Sequence, residues 1–283
     1  MIKQPVASNP INILVTLDRN YISYFNVMLY SMLFSNPNEY FHIYLIHCAI
    51  DPSDMMATNE LLRDRGQLHL IRIQENLDDA PTTDRYPQEI YYRIFAAKYL
   101  PETLDRILYL DPDIIVNKSI RELYDMPMGT AFFAAASHIG NLLHFFNEIR
   151  LDIDEKMPYI NSGVMLINLR QLRMEQNYKA VFDYINTHKG KLFLPDQDII
   201  SGLYGTRIIP LDSYRYNMTE RLFAFHKQSG DKMDLDYVRN HTVIIHYCGR
   251  NKPWKAGYIG KLDRFYHETT ARMEDHFSSA NPE

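Results

Sequence analysis

The sequence predicts an α/β protein, a single domain with loop insertions around a mostly parallel central sheet flanked by helices. Two observations carry that reading. Apolar runs of strand length alternate with helical stretches, in the order β-α-β-α-β-α-β over the first 110 residues, and strands joined through helices lie parallel, with the helices covering both sheet faces. The chain has 283 residues, 46% of them hydrophobic and 23% charged, which suits one large α/β sheet.

The elements follow in order. INILVTL (11–17), FHIYLIHC (41–48), LHLIRI (68–73) and ILYL (107–110) are short, nearly continuous apolar runs, as expected of strands buried on both faces. YISYFNVMLYSMLFS (21–35), DPSDMMATNELLRDR (51–65) and QEIYYRIFAAKYL (88–100) are longer and are read as the intervening helices. Beyond residue 137 the alternation becomes irregular. AFFAAAS (131–137), GVMLINL (163–169), TRIIPL (206–211) and HTVIIHYC (241–248) are further strand candidates. ENLDDAPTTDRYP (75–87) reads as a polar loop. Residues 1–257 are expected to form the main domain and 258–283 a C-terminal helix with a short tail.

Composition removes several function classes. A net charge of -5 argues against nucleic acid as a partner, because phosphate binding needs a basic face. The two cysteines, Cys48 and Cys248, are too few and too far apart for a disulfide framework or a thiolate metal site. The apolar stretch near the N-terminus meets Asp18 and Arg19 too soon for a signal peptide or a membrane span. The expected location is therefore cytoplasmic, with membrane contact at most peripheral at the inner face. The sequons NKS at 117 and NMT at 217 are then chance matches.

ILYLDPDIIV (107–116) is an apolar run interrupted by Asp111 and Asp113. In a parallel sheet, ligands bind beyond the carboxyl ends of the strands. Pro112 biases Asp111 towards an extended backbone, and residues two apart on extended chain project the same way. Two carboxylates held so close are stable around a cation; a turn or helix-capping pair is the other reading. HTVIIHYCGRNKPW (241–254) adds His246 near the end of a second apolar run, then Gly249 and Lys252. An imidazole beside two carboxylates is a ligand set for Mn²⁺, with Mg²⁺ the harder alternative. A glycine lets backbone approach a phosphate, and a lysine adds a point charge.

LYLDPDIIV, YINSGVMLINL, LPDQDII and HYCGRNKPW, in that order, resemble glycosyltransferase family eight over roughly residues 11–255. That family comprises retaining enzymes of the GT-A fold, a Rossmann-like sheet, related to bacterial lipopolysaccharide galactosyl- and glucosyltransferases and to glycogenin. The resemblance implies that Asp111, Asp113 and His246 hold Mn²⁺ against the diphosphate of a UDP-sugar, with Gly249 and Lys252 on the phosphates. It implies uridine at TLDRNY, from Thr16 to Tyr21: Asp18 on the uracil N–H, Tyr21 stacked on the ring, and Asn20 positioning the nucleoside. It carries Arg93 to the donor sugar and diphosphate, and Asp196 and Gln197 to the donor sugar; beside it, Asn161, which leads with Gly163 into an apolar strand, can bond sugar hydroxyls through its amide donor and carbonyl. Gln197 would stand beside the anomeric carbon, with Asp198 a reserve catalytic candidate.

The expected activity is Mn²⁺-dependent, retaining transfer of glucose or galactose from a UDP-sugar to a glycan, lipid-linked or protein-linked acceptor. A glutamine amide is a poor nucleophile, which favours attack from the face of the departing phosphate. Two alternatives stand beside this reading. One is a binding module for nucleotide sugars or glycans without catalysis; the other is a haloacid-dehalogenase-like phosphatase, which Ile115 and the mid-chain position of the two aspartates fit poorly. Trp254 and the 75–87 loop are expected to close over the donor.

Overall fold

The computed structural model describes residues 9–73, 89–137, 151, 157–228 and 233–280. The first half lays down β1 (Ile11–Thr16), α1 (Ile22–Ser35), β2 (Phe41–His47), α2 (Met56–Leu62), β3 (Gly66–Arg72), α3 (Glu89–Tyr92), α4 (Ala96–Tyr99) and β4 (Ile107–Leu110). Then come β5 (Ile114–Val116), α5 (Arg121–Asp125), β6 (Phe133–Ala136), β7 (Val164–Ile167), α6 (Leu169–Glu175), α7 (Tyr178–His188) and α8 (Pro195–Tyr204). The chain ends with β8 (Ile208–Leu211), α9 (Ser213–Tyr216), α10 (Glu220–Gln228), α11 (Leu235–His241), β9 (Ile244–His246) and α12 (Asp263–Ala280).

Among the described residues, seven strands form one sheet in the order β3-β2-β1-β4-β7-β6-β8. All run parallel except β7, which is antiparallel to both β4 and β6. The sequence predicts this sheet as mostly parallel, and so it is. From β1 the chain builds outward through β2 and β3, then returns so that β4 flanks β1 on its other side. The gap between the ends of β1 and β4 is therefore the switch point, where a doubly wound sheet leaves a crevice for ligand.

Alternating side chains divide the core. Ile13, Val15, Leu108 and Leu110 face α1 and α2, packing on Phe25, Met28, Leu29 and Met32. Leu14, Ile107 and Tyr109 face the opposite layer, with Tyr91, Tyr92, Phe95, Leu169 and Ile199. Each such aliphatic or aromatic side chain contributes roughly 1.5–3 kcal/mol by leaving water. Asn36 closes α1 by donating its amide to the Met32 carbonyl at 2.8 Å while its oxygen accepts from the Ile120 N–H at 3.0 Å.

Two expectations are corrected here. The stretch 241–248 is not one strand: α11 ends at His241, and only Ile244–His246 forms a paired strand. That piece pairs antiparallel with β5 in a separate two-stranded ribbon, His246 opposite Ile114. The stretch 88–100 is not one helix either, because it breaks between α3 and α4. Residues Tyr91 to Ala97 are all buried, so no amphipathic stripe favours a single continuous helix. The break turns Arg93 inward.

Beneath the ribbon lies a third apolar cluster, with Ile115, Ile245, Met218, Val238, Tyr247, Leu262, Phe265 and Tyr266. Within the described residues, no helix is long and apolar enough to cross a membrane. Asn217 of the NMT sequon is fully buried, and the Asn117 amide of NKS is spent on the Val238, Arg239 and Thr242 carbonyls. Neither is a surface acceptor.

Candidate active site

The linker between β4 and β5 carries Asp111 and Asp113 across the switch point, from the main sheet to the ribbon. Backbone bonds fix it at both ends: Asp111 N–H donates to the Gly163 carbonyl at 2.8 Å, and the Asp113 carbonyl accepts from Tyr247 N–H at 3.0 Å. His246, at the end of β9, points Nε2 at both carboxylates, 3.2 Å from Asp113 Oδ1 and 3.6 Å from Asp111 Oδ2. Lys252 lays its ammonium on Asp113 Oδ2 and donates to the Tyr247 carbonyl at 2.8 Å.

Asp111 is held from behind. Tyr109 O–H donates to Asp111 Oδ1 at 2.6 Å, so the Thr16 hydroxyl, 3.1 Å from that phenol oxygen, must be the donor to it. Arg93 places Nη1 3.1 Å from Asp111 Oδ1 and 3.1 Å from Asp196 Oδ2, bridging the two acids. Its guanidinium lies 4.2 Å from the centre of the Tyr109 ring, a cation–π arrangement in a dry setting.

These charges tune one another. Burial would raise the pKa of Asp111, but Arg93 and His246 outweigh it and hold the carboxyl well below its usual range. Asp113 is lowered too, burial being overcome by Lys252 and His246. Asp196 goes the other way, because burial outweighs Arg93 and the Ser162 hydroxyl. Burial pulls His246 down, yet Asp113 and Asp111 prevail and push it up to about 10.

The residues present fit a divalent ion. One ligand atom each from Asp111, Asp113 and His246 lies within 4.8 Å of the others. Asp113 Oδ1 is buried, makes no well-aligned hydrogen bond and faces His246 Nε2 at 3.2 Å, so an ion that took the place of the imidazole proton would find an acceptor already desolvated. Gly163 keeps the space clear: a Cβ there would stand 2.6 Å from Asp111 Oδ2 and 2.9 Å from His246 Nε2. Two carboxylates and an imidazole suit a metal at the borderline between hard and soft.

The mouth of β7 supplies the other wall. Asn161 Nδ2 donates to Gln197 Oε1 at 2.9 Å, Ser162 N–H donates to that same oxygen at 3.2 Å, and Gly163 N–H donates to Asn161 Oδ1 at 3.2 Å. Ser162 Oγ donates to Asp196 Oδ2 at 2.6 Å. Pro195 at the first helical position and acids in the first turn start α8, as helix N-termini favour. Asp196 and Gln197 thereby face the corner formed by Asp111, Asp113 and His246. Asp198 does not: it is fully buried, and its oxygens accept from Tyr159 O–H at 2.7 Å and from Phe193 and Leu194 N–H at 2.7 and 3.1 Å. It anchors the loop before α8.

At the end of β1, Asp18 caps a 3-10 turn by accepting from Asn20 N–H at 2.7 Å. Asn20 is exposed and Tyr21 half-buried. Burial raises the Tyr21 pKa, and Lys252 and Asp113 are close enough to act on it. Gly249 adopts φ +85°, a backbone that glycine tolerates best. Trp254 stacks on Tyr24 at 3.9 Å, with Tyr266 at 5.3 Å, so it is braced against α1 and α12. The 75–87 loop lies outside the described residues.

Comparison with known proteins decides the identity. The sequence model for glycosyl transferase family 8 matches residues 12–257. The chain belongs to that family. It is therefore an enzyme, a glycosyltransferase, which sets aside the phosphatase and the non-catalytic binding module. It is 28% identical over 245 residues to a lipopolysaccharide 1,2-glucosyltransferase of Escherichia coli, covering 84% of this chain and 71% of the relative. It is 25% identical over 281 residues to a lipopolysaccharide 1,3-galactosyltransferase of Salmonella typhimurium strain LT2, covering 96% and 81%. In structure it resembles galactosyltransferase LgtC, solved with donor and acceptor sugar analogs, at a TM-score of 0.77 and 24% identity over 92% of this chain and 96% of that one. That likeness establishes the fold, GT-A.

Sequence reasoning missed four members of the site: Tyr109, Ser162, Asn217 and the Tyr247 carbonyl. Tyr109 was within reach, because it precedes Asp111 by two residues on extended chain and so shares its side. Asn217 carried no signal, since only the bridge of Met218 to Ile245 brings it beside His246.

Proposed function

We propose that this family 8 enzyme is a Mn²⁺-dependent retaining hexosyltransferase that moves glucose or galactose from a UDP-sugar to a glycan acceptor. The observation that carries this reading is the convergence of Asp111, Asp113 and His246 at the switch point, with Lys252 beside them. Similarity to lipopolysaccharide glucosyl- and galactosyltransferases supports a lipid-linked cell-surface glycan as acceptor. The enzyme would work in the cytoplasm and touch the inner face of the membrane at most peripherally. Residues 1–257 would form the transferase domain, and 258–283 would brace it.

An ion on Asp111, Asp113 and His246 would act as a Lewis acid on the diphosphate. Lys252 would move from Asp113 to the phosphates as a point charge on the departing group, and Gly249 would let backbone approach them. Asp18, Asn20 and Tyr21 would hold the nucleoside, with Thr16 steadying the ligand carboxylate through Tyr109. A stacked base would contribute roughly 1–3 kcal/mol through Tyr21. Arg93, Asp196 and Asn161 would orient the donor sugar.

Gln197 would assist without attacking. Its Oε1 already accepts from Ser162 N–H and Asn161 Nδ2, which uses both lone pairs. The free end is Nε2, a donor. Retention then follows the same-face route: the bond from the anomeric carbon to the UDP oxygen breaks, the acceptor oxygen bonds on that face, and its proton passes to the departing phosphate.

The test is UDP release from a panel of UDP-sugars with Mn²⁺ and no acceptor. One hexose donor should be hydrolysed slowly, and Asp113→Ala should abolish the release. Silence from every donor, or full activity in Asp113→Ala, would overturn the reading.

A further inference from the structure

Four side chains in a row join the metal-ligating corner to Gln197, and their polarity is fixed from one end. Ser162 N–H, a backbone group that can only donate, meets Gln197 Oε1 at 3.2 Å, so that atom must be the amide oxygen. The Asn161 atom 2.9 Å from it must then be Nδ2. Gly163 N–H, a second obligatory donor, agrees by meeting Asn161 Oδ1 at 3.2 Å. The Asn217 atom facing that oxygen at 2.9 Å must be Nδ2. Asn217 Oδ1 is left against His246 Nδ1 at 2.8 Å, and an oxygen there requires a proton on Nδ1.

We propose that Asn217 is a positioning residue for the metal site, holding the Nδ1 proton of His246 so that Nε2, turned to Asp111 and Asp113, is the nitrogen left to an ion. This rests on the metal reading of that corner. Amide orientation is ordinarily an inference from the network; here two consecutive backbone N–H groups at the mouth of β7 dictate it. Asn217 has no freedom to drift: it is fully buried, its N–H donates to the Ser213 carbonyl at 3.0 Å, and the next residue bonds the Ile244 carbonyl at 3.0 Å. Partners that hold the far nitrogen of a ligating histidine set its tautomer and ring angle. The relay also ties that ring to Gln197, so one peptide segment, 161–163, orients both the ion ligand and the amide at the sugar.

The experiment is a Mn²⁺ titration of the full chain without donor, read by the EPR signal of free Mn²⁺. The wild type should bind; if it does not, the metal reading itself fails. Asn217→Leu should weaken binding about 10–100-fold, whereas Asn217→Asp, which still accepts from Nδ1–H but sets an oxygen against Asn161 Oδ1 in place of the Nδ2 donor, should fall between Asn217→Leu and the wild type. Wild-type affinity in Asn217→Leu overturns the relay and leaves the metal reading standing. Should Asn217→Leu not fold, the wild type answers alone. With ¹⁵N-labelled histidine and Zn²⁺ bound, His246 should show its proton on Nδ1, and a proton on Nε2 overturns the proposal.

Discussion

Gly163→Ala is the smallest change that separates a convergent metal site from a chance meeting of acids. The added methyl would stand 2.3 Å from His246 Cε1, 2.6 Å from Asp111 Oδ2 and 2.9 Å from His246 Nε2. Neither neighbour is the loose end of a flexible chain: Asp111 is tied to Tyr109 and Arg93, and His246 to Asn217. To reach the 3.4 Å of ordinary contact, the His246 ring must retreat by roughly 1.1 Å and the Asp111 oxygen by roughly 0.8 Å in a core packed as densely as a crystal. Overpacking of this kind costs roughly 1–3 kcal/mol of stability. Metal–ligand distances tolerate only about 0.2 Å, and a misplacement of about 1 Å costs on the order of 100-fold in rate, which is about 2.7 kcal/mol. Calorimetry of Mn²⁺ with UDP, beside UDP release, would read both quantities. Gly190→Ala is the control, since nothing lies within 4 Å of its would-be Cβ. If Gly163→Ala bound Mn²⁺ and turned over as the wild type does, Asp111 and His246 would not be closing on a common ion.

Further outcomes follow from the same contacts. Tyr109→Phe removes the donor to Asp111 and the link to Thr16, so Mn²⁺ affinity should fall and stability should drop by about 1–3 kcal/mol, read by calorimetry and urea denaturation. Asp198→Ala should destabilise by a similar amount, because the fully buried carboxylate accepts from Tyr159 O–H and from the Phe193 and Leu194 N–H groups; the folded variant should keep its Mn²⁺ affinity. Metal-dependent stability should grow with pH. The folded pKa of His246 lies near 10, above its ordinary 6.5, so without metal its contribution is complete below 6.5 and fades as pH climbs towards 10. A divalent ion replaces that proton, and thermal melts should show a larger Mg²⁺-induced rise at pH 8.5 than at pH 6.5; an equal or smaller rise refutes the assignment.

The first four strands were legible because each is a short apolar run flanked by polar turns, and Asp111 was legible because it ends one of them. The ribbon was not. β5 has three residues, and its partner lies about 130 positions downstream, a pairing no local pattern announces. His246 was therefore expected at the end of a longer strand, whereas it arrives on a separate ribbon and reaches the same crevice. Asp198 shows the converse difficulty. In sequence it looks like its near neighbour Asp196, and what tells them apart is that Asp198 accepts from Tyr159 and from the Phe193 and Leu194 N–H groups. The break at Arg93 escaped notice because apolar residues all round suit a buried helix as well as a buried kink.

Tyr247, the residue after His246, gives its phenol proton to the Leu262 carbonyl at 2.7 Å, and Phe265 and Tyr266 pack with Ile115 and Ile245 under the ribbon. The carboxyl-terminal helix is thus the footing of the ion site. A chain cut at residue 257, where the family match ends, would keep every ligand and lose the ground beneath one of them. Its deficit would surface as slack coordination long before any catalytic side chain was touched.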